Sequence, residues 1–546
     1  MKKMITTLVM LGVIHLGVAQ QKQQRPNIIL IMVDDMGYSD IAPYGGEIQT
    51  PNLSRLAAEG LRLQEFYNNS ICAPTRASLL TGQSNHKAGI GFFNVNLGLP
   101  AYQGFLNKES LTLAEVLKTA GYSTLMSGKW HVGDDSIYWP NQRGFDRFFG
   151  FIGGASNYYD IGSYPDKVPP VPLVEDNRRL NLAPGQYLTD EITGHAVKFL
   201  EEQNRTSQPF FLYVAYNAPH WPLQAPPEDI ARYKGRYAIG WDSLRNERIA
   251  RQKQLGLIRK DATIAPDPEV PAWESLTYDE KKLWEKKMEV YAAMVDHVDQ
   301  GIGKILDKLK ALKKEDNTLI VFISDNGAQG GFIPTGRRRQ RSSGPIGTAG
   351  SYDYQEQSWA HVSNSPFRSY KASAYEGGIS SPLIAWYPAK IKGGSVARGT
   401  AHLIDLAPTF YEIGHAHYPA TYHNFSIQPL QGVSLVPLFF SLREIDRSTP
   451  LFWERAGNRA VRKGKWKLIS SYPSKQWELY DIDNDRAETR NLAAQQPQVV
   501  KELSAAYEQW ASDNNVVDYD KIKPAGPAGF AGPTGAPVLP SHSKKQ

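Results

Sequence analysis

Apolar residues fall along this chain in two rhythms. Short unbroken apolar runs alternate with longer segments that carry one apolar stripe. Asn27 to Val33 (NIILIMV) is a continuous, β-branched-rich run that ends in Asp34-Asp35. Such a run predicts a strand buried on both faces. Pro51 to Gly60 predicts a helix, with proline near its start, Leu53, Leu56 and Ala57 on one face, and glycine at its end. Three more helix-then-strand units follow. They are Thr112 to Ala120 with Tyr122 to Met126, Ile192 to Glu202 with Phe210 to Tyr216, and Tyr278 to Leu312 with Thr318 to Ser324. The first of these strands runs on to Gly128-Lys129, and the last runs directly into Asp325. The alternation predicts an α/β fold, a large mostly parallel central sheet sandwiched by helices.

From about Thr449 the rhythm changes. LFWER, RAVRKGKWKLIS and WELYDI are short, closely spaced strand-like pieces, and a helix follows near Pro497 to Ser512. They predict a smaller C-terminal α+β domain with an antiparallel sheet. The expected domains are therefore residues 26–448 and 449–522, followed by a Pro/Gly-rich tail at 523–546. Gly330 to Tyr354 is Gly/Ser-rich and holds Arg337, Arg338, Arg339 and Arg341. It reads first as a solvated loop and second as a polyanion contact.

The N-terminus has the form of a secretory signal: basic Lys2 and Lys3, apolar Met4 to Val18, and a small-x-small site at Gly17-Val18-Ala19. Residues 1–19 are read as a signal peptide, so the protein is expected in the periplasm or outside a bacterial cell. No later run is long enough to span a membrane. Formal net charge is +6 over 546 residues, which argues against a nucleic-acid partner. Cys72 is the single cysteine. No intramolecular disulfide can form, and a lone cysteine in an exported chain is either a leftover or a functional group.

Its surroundings favour function. Cys72-Ala73-Pro74-Thr75-Arg76 leads into Ala77 to Gly82. Proline suits a first helical turn, so Cys72 is expected at the positive end of a helix dipole beside Arg76. That setting favours an anion and a thiolate. Two predicted strands end in Asp34-Asp35 and in Asp325-Asn326, and sites of open α/β sheets gather at strand carboxyl ends. Hard oxygen donors without Cys/His spacing suit Ca²⁺ or Mg²⁺ rather than a soft metal. In GKWH, Lys129 and His131 flank Trp130, and in an extended segment they share a face. Taken singly, His131 and His220 are ordinary core histidines and Lys129 and Lys371 ordinary surface lysines. His86 reads as structural, His297 as a packing or solvent-facing residue, and Phe92-Phe93, Tyr158-Tyr159, Trp221 and Trp241 mostly as core.

Residues 26–416 resemble a type I sulfatase of the alkaline phosphatase superfamily, close to the bacterial arylsulfatases. The stretches that carry the resemblance are PNIILIMVDDMGYSD, CAPTRASLLTG, AGYSTLMSGKWHVG, FFLYVAYNAPHWPLQAP, TLIVFISDNGA and NSPFRSYKASAYEGG. The resemblance implies that a maturation enzyme oxidises Cys72 to formylglycine. It implies Asp34, Asp35, Asp325, Asn326 and the Cys72-derived group as cation ligands. Arg76 would stabilise the ionised nucleophile, and Lys129, His220 and Lys371 would contact the sulfate or leaving oxygen. His131 would take a proton. The substrate would be an aryl sulfate or a sulfated saccharide. Tyr375 stands before Glu376 where many relatives carry His, which affects local contacts. The same scaffold also serves phosphate and phosphonate monoester hydrolases, and a decayed glycan-binding relative is the non-enzymatic alternative.

Overall fold

The computed structural model describes residues 25–163, 171–262, 264, 269–330 and 342–522. The expected signal peptide, the C-terminal tail and the cluster Arg337, Arg338, Arg339 and Arg341 lie outside the described residues. Among the described residues no helix is long and apolar enough to cross a membrane.

Ten strands form the main sheet: β1 (Asn27–Val33), β2 (Leu61–Tyr67), β3 (Ser123–Gly128), β4 (Arg147–Phe151), β5 (Leu173–Glu175), β6 (Arg178–Leu180), β7 (Phe210–Ala215), β8 (Thr318–Ser324), β9 (Ser380–Trp386) and β10 (Ser395–His402). Their order is β10-β2-β9-β8-β1-β7-β3-β4-β5-β6. The centre, β8-β1-β7-β3-β4, is parallel, whereas β9 is antiparallel to both its neighbours and β5-β6 form an antiparallel edge. The unbroken apolar runs have their reason here. On β1, Ile28, Leu30 and Met32 pack into one core, and Ile29, Ile31 and Val33 pack into the other. Both faces are covered, so no polar alternation is required.

The helices follow their sequence signals with local reasons. Tyr278–Ala311 begins at a capping box of Thr277 and Glu280, and Leu113–Thr119 at one of Thr112 and Glu115. Pro51–Glu59 has no such cap from Thr50. Its first N–H groups are taken by Asp299 of the long helix, at 3.0 Å from Asn52 N and 2.8 Å from Leu53 N.

A two-residue ladder, β11 (Thr421–Tyr422) with β12 (Phe425–Ser426), precedes the second sheet. That sheet is antiparallel: β13 (Leu451–Arg455), β14 (Asn458–Lys463), β15 (Trp466–Ser470) and β16 (Trp477–Asp481), with the helix Pro497–Asp513 against it. RAVRKGKWKLIS is thus two strands, turning at Gly464.

The second sheet is locked to the first by a buried charged network. Lys467 Nζ donates to Glu376 Oε1 and Glu488 Oε1, both at 2.8 Å, and Tyr67 OH and Arg486 Nε reach Glu376 Oε2 at 2.9 and 3.1 Å. Glu376 is therefore a structural ion-pair partner. Burial and the neighbouring Glu376 push Glu488 up to about 7, against the pull of Lys467. His86 joins the same interface through Glu454, at 2.9 Å, in agreement with a structural role.

Candidate active site

The strand order creates the site. In parallel register Val33 of β1 lies beside Ser324 of β8, Met32 beside Ala215 of β7, and Gly128 of β3 beside Ala215. Four adjacent strands thus end on one edge and release Asp34-Asp35, Asp325-Asn326, the His220 loop and Lys129 side by side. Gly128 makes the last crossing possible. It has φ +124°, and a Cβ there would lie 2.0 Å from Ala215 O. Lys129 N then donates to Ala215 O at 2.8 Å. Because β9 runs the other way, the loop before it, which carries Lys371, returns to the same edge.

Cys72 opens the helix Cys72–Thr81, whose residues are all buried. Thr75 Oγ1 ties this helix to Asp325 O at 2.8 Å. Arg76 is fully buried; it donates to Lys129 O at 2.9 Å and meets Asp325 Oδ2 at 3.4 Å and Asp34 Oδ2 at 3.8 Å. Lys129 Nζ pairs with Asp34 Oδ2, and Lys371 Nζ donates to Asp35 Oδ1 at 2.5 Å. Three carboxyl groups and three basic side chains therefore meet inside one buried cluster.

Four residues at the cluster adopt left-handed backbone without being glycine: Asp35 (φ 66°), Ser70 (φ 61°), His131 (φ 62°) and Ala372 (φ 74°). Such conformations cost about 1–3 kcal/mol each and persist where the surroundings impose them. Here they sit at or beside predicted site residues, and Ala372 N donates to Ser70 O at 2.8 Å, joining the Cys72 and Lys371 segments. His131 departs from the sequence reading in this respect. It does not share an extended face with Lys129, because the chain turns at His131. Its ring lies instead against Gly154, where a Cβ would come within 2.4 Å of Nε2.

Asp34, Asp35 and His220 can direct one ligand atom each to a common point, and so can Asp34, Cys72 and Asp325; within each set these atoms lie within 4.8 Å of one another. Asp34 Oδ1, Asp35 Oδ2 and Asn326 Oδ1 are buried and have no hydrogen-bond partner among the described residues. Buried acceptors in this state are costly unless a cation or donor meets them. Hard oxygens in that number fit Ca²⁺ or Mg²⁺. Asn326 turns its Nδ2 to Asp35 Oδ1, at 2.6 Å, which leaves its oxygen for such an ion.

The electrostatics follow from burial among charges. Burial raises Asp34, yet the positive charges around it, Lys129 first and then Arg76 and Lys371, hold it below the ordinary carboxylate range. Burial and the charge of Asp34 push Asp325 well above that range. Burial lowers His220 to about 4, so its imidazole is neutral at pH 7. Its Nδ1 lies 2.6 Å from Trp221 O, which fixes the tautomer with Nδ1–H as donor and directs the Nε2 lone pair toward Asp35 Oδ2, 3.5 Å away. Burial also raises the Cys72 thiol, against the pull of Lys129 and Lys371. The expected thiolate activation at the helix N-terminus is therefore corrected: loss of water outweighs dipole and cations.

Tyr158, read from the sequence as core, is fully buried, and its hydroxyl donates to Asn217 O and His220 O at 2.9 and 2.7 Å and so holds the His220 loop, a role the sequence did not signal. Trp241 is core, packed on Trp273, Trp284 and Trp359, while Trp221 stacks on His220.

Fold and site together define an α/β protein with a buried cluster of carboxyl groups and basic side chains at the carboxyl ends of its central strands. The comparisons sharpen this. The Sulfatase family model matches residues 26–416, and the C-terminal model of N-sulphoglucosamine sulphohydrolase matches residues 369–513. An arylsulfatase of Klebsiella aerogenes is 36% identical over 77% of this chain and 93% of its own. An uncharacterised sulfatase of Schizosaccharomyces pombe is 35% identical over 91% and 95%. The crystal structure of Ps i-CgsB with k-i-k-neocarrahexaose superposes with a TM-score of 0.68, at 27% identity over 90% of this chain and 94% of that one. The chain belongs to the sulfatase family, as a type I sulfatase of the alkaline phosphatase superfamily. It is a sulfuric ester hydrolase.

Proposed function

We propose that this sulfatase is exported, holds Ca²⁺, and hydrolyses sulfated saccharides or aryl sulfates with a formylglycine made from Cys72 by a separate maturation enzyme. Residues 26–448 are the catalytic domain in this reading, and 449–522 a smaller C-terminal α+β subdomain. The observation that carries it is the set of partnerless buried oxygens on Asp34, Asp35 and Asn326, beside Cys72 and three cations. The Ps i-CgsB complex with k-i-k-neocarrahexaose supports a saccharide substrate, and the Klebsiella arylsulfatase supports an aryl one.

Asp34, Asp35, Asp325 and Asn326, with the Cys72-derived group, would hold the ion, which would supply Lewis acidity and positive charge at the site. Formylglycine would supply a hydrated aldehyde: one hydroxyl, giving up its proton, would bond to sulfur as the bond from sulfur to the alcohol oxygen breaks, and loss of the second hydroxyl's proton would then re-form the C=O and break the C–O bond to sulfate. Arg76, buried and rigid, stabilises the anionic nucleophile. Lys129 and Lys371 leave their carboxylates for the sulfate oxygens, where negative charge develops. His131 takes the proton of the second hydroxyl. Neutral His220 offers Nε2 as an acceptor, so Lys371 is the protonated group of the two beside the leaving oxygen.

The test is the mass of the peptide containing Cys72 from active protein of the native host. A mass matching formylglycine supports the reading. Unmodified cysteine in fully active protein overturns it.

A further inference from the structure

Alternation along the central strands decides which side chains stand over the site. Met32 of β1, Ala215 of β7 and Ile323 of β8 pack into the same core as Ala73 and Ala77 of the Cys72 helix. Two residues further on β1 and β8, that face carries Asp34 and Asp325, and Arg76 of the helix meets both. On β7 the same step leads to Asn217. Tyr216, between Ala215 and Asn217, turns to the opposite face, where its hydroxyl lies 2.8 Å from Thr193 Oγ1. The pairing with β1 continues past the end of β7: Tyr216 N donates to Met32 O at 2.9 Å, and Asp34 N to Ala218 O at 3.2 Å. Asn217 therefore stands beside Asp34, one strand spacing or about 4.8 Å away, on the face that the Cys72 helix covers.

The backbone of Asn217 is tied down, since its carbonyl accepts from Tyr158 OH and from His220 N, both at 2.9 Å. Its side chain is not. Asn217 is only 2% exposed, its Oδ1 is buried without a hydrogen-bond partner, and its Nδ2 donates to no group among the described residues. A buried amide in this state is costly, so its partner arrives with whatever fills the site. The two sides of Asp34 show which partner that is. Toward β8 lie Asp325 and Asn326, the oxygens assigned above to the cation. Toward β7 and β3 lie His220 and Lys129. Lys129 Nζ pairs with Asp34 Oδ2, so its side chain crosses from β3 to β1 over the end of β7, where Asn217 stands. Asn217 is thus on the side of the cluster that faces the sulfate.

We propose that Asn217 is a sulfate-binding residue whose Nδ2 donates to a non-bridging oxygen of the ester, next to the oxygen met by Lys129. The inference rests on the reading of this cluster as the sulfate site. With the amide turned this way, Oδ1 is left to accept from the Lys129 ammonium, which has three hydrogens to give. A neutral donor suits the position. The lysines and Arg76 already supply positive charge, and an amide adds a hydrogen bond without adding more.

The test uses matured enzyme from the native host and compares wild type with Asn217→Ala, Asn217→Asp and Lys129→Met. Calorimetry reads the affinity for inorganic sulfate and, after chelation, for Ca²⁺; 4-nitrophenyl sulfate reads turnover. Asn217→Ala is expected to weaken sulfate binding and to lower kcat/KM by about 10- to 100-fold, the loss of one hydrogen bond to a charged group, with Ca²⁺ affinity unchanged. Asn217→Asp keeps the shape but puts an anion where the donor was, so it should lose at least about tenfold more than Asn217→Ala in both sulfate affinity and turnover. A residue that only supported the fold would tolerate Asp at least as well as Ala, and that result would overturn the proposal. So would a loss confined to Ca²⁺ binding, which would make Asn217 a cation ligand. Lys129→Met separates this inference from the reading beneath it. Sulfate affinity retained in Lys129→Met would sink the site reading itself. Affinity lost there but kept in Asn217→Ala would leave the site standing and overturn the role of Asn217 alone.

Discussion

One imidazolium joins three segments of the chain, and its removal has a calculable, pH-dependent cost. His297, in the long helix Tyr278–Ala311, places Nδ1 2.6 Å from Asp229 Oδ2 and Nε2 3.2 Å from Asp190 Oδ2. Asp190 belongs to the helix Leu188–Gln203 and Asp229 to Pro227–Ala231. Burial alone would lower the pKa of His297, but the two carboxylates outweigh it and raise it from 6.5 to about 9. Against an unfolded value near 6.5, that rise corresponds to about 3 kcal/mol. The Asp190 side chain is 41% exposed, so solvent screens part of the interaction. About 2 kcal/mol is expected for His297→Gln. The folded pKa lies above the unfolded one. The contribution is therefore fully present below about pH 6.5 and disappears as pH rises through 9. Urea unfolding of both proteins between pH 6 and pH 9.5 is the assay. The stability gap should be widest at pH 6 and close to zero at pH 9.5. A gap that stays constant across the range would refute the charge argument and leave only packing.

Three further outcomes are expected. Cys72→Ala should abolish sulfate release and change folding stability by less than about 1 kcal/mol, since Ala suits the first turn of a helix; full activity in that variant would end the formylglycine mechanism. In calorimetric titration, Asp325→Ala should weaken Ca²⁺ binding by at least about 100-fold, more than the loss typical of residues behind the ligands; unchanged affinity would place the ion elsewhere. Lys467→Met removes the cation that bridges Glu376 and Glu488, leaves Glu488 buried without its ion-pair partner, and should destabilise the protein by about 3–5 kcal/mol in urea unfolding. Adding Glu376→Gln and Glu488→Gln should recover most of that loss, and no recovery would mean that the network is not where the stability resides.

The central strands were readable because burial on both faces leaves a local mark, an unbroken apolar run. β1 and β8 fall on the expected residues for that reason. The strands on the sheet's flanks were not readable. β2 (LRLQEFY) mixes charged residues into its pattern, and β10 (SVARGTAH) is broken by a bulge. Whether such sequences pair is decided by the neighbours they meet.

The site divides along the same line. The sequence alone determined the chemistry available: a single cysteine opening a helix beside arginine, acidic pairs closing apolar strands, and lysine and histidine at loop starts. Only the tertiary structure decided how these act together. The register of β1 against β8 and β7 brings carboxylates more than 280 residues apart into one buried cluster. Burial then reverses the local expectation for Cys72, holds His220 neutral, and turns His131 out of line with Lys129. Residue type and spacing are properties of the chain. Desolvation and the sum of neighbouring charges depend on distances that exist only once the sheet has formed.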